Sequence, residues 1–248
     1  MKLQNKIAIV TGAASGFGEA TARLFAENGA RVVIADLNLE KAEAVAASIG
    51  ADRAIAVRTD VSSRPDIDAL LVRTVETFGV PNIIVNNAGF THKNRPLLEV
   101  DEATFDRVFN VNVKSLYHMT QAAAPMLRDN GGGVMLNVGS VAGIRPRPGL
   151  TWYNGSKGAA NMLSKSLAVE LAPWKIRVNA ICPVMGVTGM LEDFMGMPDT
   201  PENRAKFLAS IPLGRFCEAS DVAEAALYLA GADFITGVEL PVDGGRTI

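Results

Sequence analysis

Short apolar runs rich in β-branched residues alternate with longer stretches in which apolar residues recur at three- and four-residue intervals, from one end of the chain to the other. The short runs predict strands over 6–10, 31–35, 54–57, 83–85, 134–138, 176–181 and 238–240. Between them the longer periodicity predicts helices over 16–28, 39–49, 66–78, 104–128, 151–171 and 220–230, the last with Ser220 as N-cap and Glu224 nearby. Strands alternating with helices in this way predict one α/β domain, a doubly wound parallel sheet with helices on both faces. Along 104–128, Phe105, Val108, Phe109, Val113, Leu116, Met119 and Ala123 fall on one helical face and belong to the core. The pattern breaks at 183–215, a stretch rich in Met, Pro and Gly that reads as a long irregular insertion, and such loops in compact domains are commonly lids or binding loops.

Composition narrows the partners. The chain has 248 residues, 48% hydrophobic and 20% charged, enough for one large core. A net charge of −2 with interspersed signs gives no electrostatic basis for binding nucleic acid or an anionic membrane. No apolar run approaches the roughly 18 residues of a membrane span, and the start leads into a strand rather than a signal-peptide core, so a cytoplasmic protein is expected. Cys182 and Cys217 form no CxxC pair, so neither a disulfide nor a zinc site is indicated.

Candidate chemistry collects at the ends of the predicted strands. The first runs through Thr11-Gly12-Ala13-Ala14-Ser15-Gly16-Phe17-Gly18 straight into a helix. Glycines there allow a tight turn and close approach to a pyrophosphate, which the helix N-terminus stabilises. The spacing G-x-x-x-G-x-G differs from the general G-x-G-x-x-G fingerprint. Asp36 ends the second strand, where an acidic residue would hold a ribose 2′-hydroxyl and repel a 2′-phosphate; with Leu37 and Asn38 beside it and no compensating arginine, NAD is expected rather than NADP. Asp60-Val61 and Asn86-Asn87-Ala88-Gly89 end the next two strands and face the same crevice. Ser140 follows the fifth strand, and Tyr153 and Lys157 open the next helix on one face. Tyrosine ionises near pH ~10, so bringing it to neutrality takes roughly 4 kcal/mol, which a neighbouring ammonium could supply.

This ordered series, from Thr11-Gly12 through Gly18, Asp60, Asn86 to Gly89, Asn112, Ser140, Tyr153, Lys157, Pro183 with Thr188, and Asp243-Gly244-Gly245, strongly resembles the short-chain dehydrogenase/reductase family across essentially the whole chain. The resemblance implies an alcohol dehydrogenase or ketoreductase in which Tyr153 is the general acid/base, Lys157 lowers its pKa and binds the nicotinamide ribose, Ser140 orients the substrate oxygen and Asn112 supports a water-linked proton relay. It implies cofactor contacts from Gly12, Ser15, Gly16, Phe17, Gly18, Asp36, Leu37, Asp60, Val61, Asn87, Ala88, Gly89, Tyr153, Lys157, Pro183 and Thr188. It also implies a homotetramer built on the 104–128 and Tyr153 helices, and places 183–215 over the substrate. The expected reaction interconverts a secondary alcohol and a ketone on a small, largely apolar or cyclic molecule. An NADPH-dependent 3-oxoacyl-thioester reductase and a non-catalytic nucleotide sensor are the rival readings, opposed by Asp36 and by the intact catalytic set respectively.

Two features depart from the family pattern. Pro183 is followed by Val184 instead of glycine, with Gly186 displaced by two positions, and Gly155 costs the Tyr153 helix roughly 1 kcal/mol of propensity, through close approach of either a cofactor or a neighbouring helix. His92 is expected on a surface loop and His118 in a structural or interfacial role. Arg145 and Arg147 read equally as recognition of a substrate carboxylate or phosphate and as a solvated loop face. Met185, Met190, Phe194, Met195 and Met197 suggest a pliable apolar lid.

Overall fold

Five consecutive buried residues make up β1 (Ile7–Thr11), because helices cover both of its faces. In the computed structural model, which describes residues 2–248, it is followed by α1 (Gly16–Glu27), β2 (Arg31–Asp36), α2 (Leu39–Ile49), β3 (Ala54–Arg58), α3 (Arg64–Phe78) and β4 (Ile83–Asn86). The second half runs α4 (Glu102–Phe109), α5 (Ser115–Asp129), β5 (Gly133–Val138), α6 (Thr151–Leu171), β6 (Ile176–Pro183), α7 (Leu191–Met195), α8 (Pro201–Leu208), α9 (Ala219–Gly231) and β7 (Glu239–Val242). The strands form one sheet in the order β3-β2-β1-β4-β5-β6-β7, every pair parallel.

Alternate strand residues feed two cores. Val32 and Ile34 pack with Phe25 of α1, Val45 of α2 and Val222 of α9, while Val33 and Ala35 pack with Leu70 of α3, Met119 of α5 and Leu171 of α6. Between β1 and β4 the winding reverses direction, and the carboxyl ends of these two strands open the crevice where ligands of such sheets bind. Among the described residues no helix is long and apolar enough to cross a membrane, and no group of His, Cys, Asp and Glu side chains is placed to hold a metal ion.

Several local expectations change. The helix expected over 104–128 is interrupted by a π-helical turn, Asn110–Lys114, because the Asn112 amide bonds the backbone of Phe90 and draws its own turn out of α-helical register. The last helix is capped by Glu218 in a reciprocal box with Asp221, not by Ser220, which sits inside the first turn. The stretch 183–215 is less irregular than its composition suggests: it carries α7 and α8 and encloses a small apolar cluster of Leu191, Met195, Ile211 and Phe216. His92 is buried rather than exposed, since its loop is pinned by Asn94 N–H donating to Asp193 O at 2.8 Å and Arg95 N–H to Gly149 O at 3.1 Å.

Candidate active site

Thr11 ends β1 with its hydroxyl oxygen accepting the N–H groups of both Asn87 and Ala88 at 3.0 Å. Asn87 returns the contact, its amide donating to Thr11 O at 2.8 Å and Gly12 O at 3.0 Å, so the β4 end is clipped onto the glycine turn. Gly12 has a φ of +62°, and a Cβ there would lie 2.8 Å from Ala88 Cα. Gly18 lies beneath the turn, where a Cβ would meet Gly12 O; it packs the turn rather than lining the cleft. At the start of α1, Ser15 makes no side-chain cap, so the first N–H groups of the helix stay free beside Gly16 and Phe17, which line the cleft with Gly12. Free helix N-terminal donors of this kind suit a phosphate group.

Asp36 closes the far end of this groove. Its carboxylate accepts Ala14 N–H at 3.0 Å and Asn38 N–H at 2.9 Å, and each oxygen keeps acceptor capacity for a vicinal diol. Strand register sets Arg58 beside Asp36, but the Arg58 guanidinium turns to Asp66 at 3.8 Å. Leu37, Asp60 and Val61 complete this wall, with Asp60 held by the Ser62 N–H and hydroxyl.

Ser140, Tyr153 and Lys157 line the same cleft, continuous with Asn87, Ala88 and Gly89. The Lys157 ammonium donates to Val138 O at 2.7 Å and lies 6.0 Å from the centre of the Tyr153 ring. Asn112 is not on the cleft wall. It is buried behind Gly89, with Oδ1 accepting Phe90 N–H and Nδ2 donating to Phe90 O and to Ser156 Oγ, each at 2.9 Å. As placed, it braces the wall.

The helical spacing raised the expectation that Lys157 would hold Tyr153 near its ionisation point, and burial works against it. Burial pushes the Tyr153 phenol up to about 12, with the Ser140 hydroxyl pulling it down and Cys182 adding to the rise. Burial likewise pushes the Lys157 ammonium down to about 8. Desolvation disfavours the charged form of each and is the largest cause of both shifts.

From the insertion, Pro183 and Thr188 line the cleft, and Thr188 reaches over the Gly16 end of α1. Val184 is accommodated because its N–H donates to Val242 O at 3.1 Å and its side chain packs with the cores on either side. Gly186 leaves room for Phe17, since a Cβ there would lie 2.3 Å from the Phe17 ring. Phe194 of α7 packs edge-on against Tyr153 at 5.2 Å. The Gly155 question resolves differently: a Cβ there meets only Phe109 at 3.9 Å, an ordinary contact.

Arg145 and Arg147 both line the cleft. So do Phe90, Arg107, Phe207 and Arg246, which the sequence did not single out. Arg246 follows the Asp243-Gly244-Gly245 turn, and only the tertiary fold reveals that this turn returns the chain to the cleft.

Comparison with known proteins accords with this geometry. The family described as Enoyl-(Acyl carrier protein) reductase matches residues 12–247. The chain is 51% identical to 4-formylbenzenesulfonate dehydrogenase of Comamonas testosteroni over the full length of both, and 39% identical to 2-(R)-hydroxypropyl-CoM dehydrogenase of Xanthobacter autotrophicus over 98% of this chain and 99% of that one. A crystal structure of 3-ketoacyl-(acyl-carrier-protein) reductase from Brucella melitensis complexed with NADH superposes with a TM-score of 0.93 at 46% identity, covering 99% of this chain and 100% of the other. With relatives this similar over their whole length, a matching family and a glycine turn, acidic strand end and Ser-Tyr-Lys group in one cleft, the chain belongs to the short-chain dehydrogenase/reductase family of oxidoreductases.

Proposed function

We propose that this protein is an NAD-dependent oxidoreductase that interconverts a secondary alcohol and a ketone on a small, largely apolar or cyclic substrate. The observation that carries the reading is the sharing of one cleft by Asp36 at one end and Ser140, Tyr153 and Lys157 at the other. Bound there, the nicotinamide supplies the hydride acceptor or donor. The glycine turn and the free N–H groups of α1 hold the pyrophosphate, Asp36 accepts from the adenine-side ribose, and Leu37, Asp60 and Val61 border the adenine. Lys157, with one N–H committed to Val138 O, keeps two for the nicotinamide ribose and for Tyr153. Pro183 and Thr188 close over the nicotinamide end.

Tyr153 gives its phenolic proton to the substrate oxygen in reduction and takes it back in oxidation, while Ser140 donates a hydrogen bond to the same oxygen. Asn112 keeps Gly89 and Phe90 in place around that exchange. The insertion 183–215 covers the substrate through Phe194, Met185 and Met190, which line the cleft. The naming of the 51% identical relative for 4-formylbenzenesulfonate supports a compact ring as the substrate body. The acyl-thioester alternative draws on the Brucella relative's name, but that structure holds NADH, and Asp36 disfavours a 2′-phosphate here.

Exposed Tyr117, Met162 and Val169 on α5 and α6 support assembly into a homotetramer through these helices, and two free, buried thiols fit a reducing cytoplasm. Tyr153→Phe is the direct test. Turnover of any alcohol the wild type oxidises falls by about 10²–10⁴ while NADH affinity is retained; unchanged turnover sinks the catalytic assignment, and a lost cofactor affinity makes Tyr153 a binding residue instead.

A further inference from the structure

Two stretches about a hundred residues apart in sequence bring three guanidinium groups to the substrate end of the cleft. Arg145 and Arg147 come from the connection between β5 and α6, and Arg246 from the turn after β7. Arg145 Nη1 donates to Arg246 O at 2.7 Å and ties the two segments together. The Arg147 guanidinium carbon lies 4.7 Å from the centre of the Phe207 ring, and the Arg147 carbonyl accepts from Asn154, the neighbour of Tyr153.

Among the described residues, the Arg147 and Arg246 guanidiniums have no internal acceptor. Several other guanidiniums sit against carboxylates, as Arg64 does with Asp68 and Arg215 with Asp221, and Arg107 lies over the Phe90 ring at 4.0 Å. Among the described residues neither Arg147 nor Arg246 has a carboxylate partner or a hydrogen-bond acceptor for its guanidinium. Asp243, the nearby acid on the same turn, is committed to Gly245 N–H, Thr247 N–H and the Thr247 hydroxyl. Burial first, and the adjacent arginine second, push Arg147 and Arg246 below the usual arginine range, with Asp243 only partly offsetting this at Arg246. A folded chain of net charge −2 that keeps like charges together, half-buried and unpaired, holds a site whose charge is complemented by a ligand.

We propose that Arg147 and Arg246, braced by Arg145, form a subsite for a compact oxyanion, a carboxylate or sulfonate, carried by an otherwise apolar substrate away from its reacting carbon. The inference rests on the reading of the Tyr153 end as the reacting end. Phe194, Leu150 and Ile211 line the same cleft and suit the apolar body, while two planar forks suit a planar or three-oxygen anion. The cluster is at the opposite end from Asp36, so it does not serve a 2′-phosphate.

Calorimetric titration of benzoate against its neutral isostere benzamide, with and without saturating NADH, tests the subsite without requiring turnover. Benzoate binds at least tenfold tighter than benzamide, and rising NaCl narrows the difference. Arg147→Gln and Arg246→Gln each reduce the preference toward parity while NADH affinity and thermal midpoint stay within twofold and a few degrees of wild type. Equal binding of the two probes to the wild type, or a preference that survives both substitutions, overturns the subsite. A tenfold loss of NADH affinity in the variants also overturns it, by assigning the arginines to a cofactor phosphate. Failure of NADH to bind the wild type strikes the dehydrogenase reading instead, and the cofactor-free titration then still decides the anion site.

Discussion

Replacing Lys157 with Met should make the cofactor-free protein more stable at neutral pH while removing its activity. Lys157 is 5% exposed, and burial lowers its ammonium from 10.5 to about 8. At about 1.4 kcal/mol for each tenfold change, keeping that ammonium charged inside the fold costs about 3 kcal/mol at pH 7. Met fills most of the same volume without the charge, and removes the donor to Val138 O, which costs about 1–3 kcal/mol. The two effects leave a net gain of roughly 1 kcal/mol for the variant.

The sign with pH follows from the depressed folded-state value. The wild type carries its full handicap below about pH 8 and sheds it as the pH rises to 10.5, where the unfolded lysine also loses its proton. Urea unfolding of both proteins at pH 7 and pH 10, at one protein concentration, reads this directly. The variant's advantage at pH 7 shrinks or reverses at pH 10, and turnover falls by about 10²–10⁴ at both. A variant less stable than wild type at pH 7, with a gap that does not move between the two pH values, refutes the claim that Lys157 is held against a desolvation cost.

Three other substitutions probe the cleft and its frame. Asp36→Asn removes the charge that opposes a 2′-phosphate and one acceptor for the ribose diol; at about 1.5–3 kcal/mol for a charged hydrogen bond, kcat/KM with NAD falls roughly 10- to 100-fold and the NAD:NADP preference collapses, and an unchanged ratio refutes the assignment. Gly186→Ala drives a Cβ to within 2.3 Å of the Phe17 ring, so the KM for NAD rises several-fold with little change in urea midpoint; unaltered cofactor kinetics count against Phe17 as part of the cofactor wall. Gly155→Ala meets only Phe109 at 3.9 Å and stabilises α6 by about 0.5–1 kcal/mol, read as a higher thermal midpoint; a lower one means that close approach, not propensity, fixed the glycine.

The sheet was legible because parallel strands are buried on both faces and announce themselves as short apolar runs, and much of the cleft wall was legible because Gly12, Asp36, Asp60, Asn87 and Ser140 stand at or just beyond the carboxyl ends of those strands. What escaped depends on groups distant in sequence. The π-helical turn around Asn112 is set by the backbone of Phe90, 22 residues earlier, and helical periodicity alone runs straight through it. At the start of α9 the sequence pointed to Ser220 as the cap, and the reciprocal pairing of Glu218 with Asp221 moved it two residues earlier. His92 looked exposed in a polar loop, and contacts from α7 and the turn at Gly149 bury that loop. Arg246 carries no local signal; β7 and the turn after it deliver it to Arg145.

The same desolvation that makes Lys157 costly alters what Tyr153 needs. For an ordinary tyrosine, ionisation at neutral pH takes roughly 4 kcal/mol, but with the phenol raised to about 12 it takes about 7 kcal/mol. Lys157 cannot supply this alone, since burial weakens its own hold on a proton and Val138 O already takes one of its N–H groups. The Ser140 hydroxyl works in the right direction and still leaves the phenol high. On the proposed reading, a phenol that burial keeps protonated is the acid that reduction of a ketone uses. On the same reading, oxidation draws the remaining stabilisation from the ribose against Lys157 and the substrate oxygen between Ser140 and Tyr153. Such contacts act on the transition state rather than on the free protein, which is where binding interactions raise kcat. Under that reading, the burial that raises the phenol makes proton removal depend on those contacts.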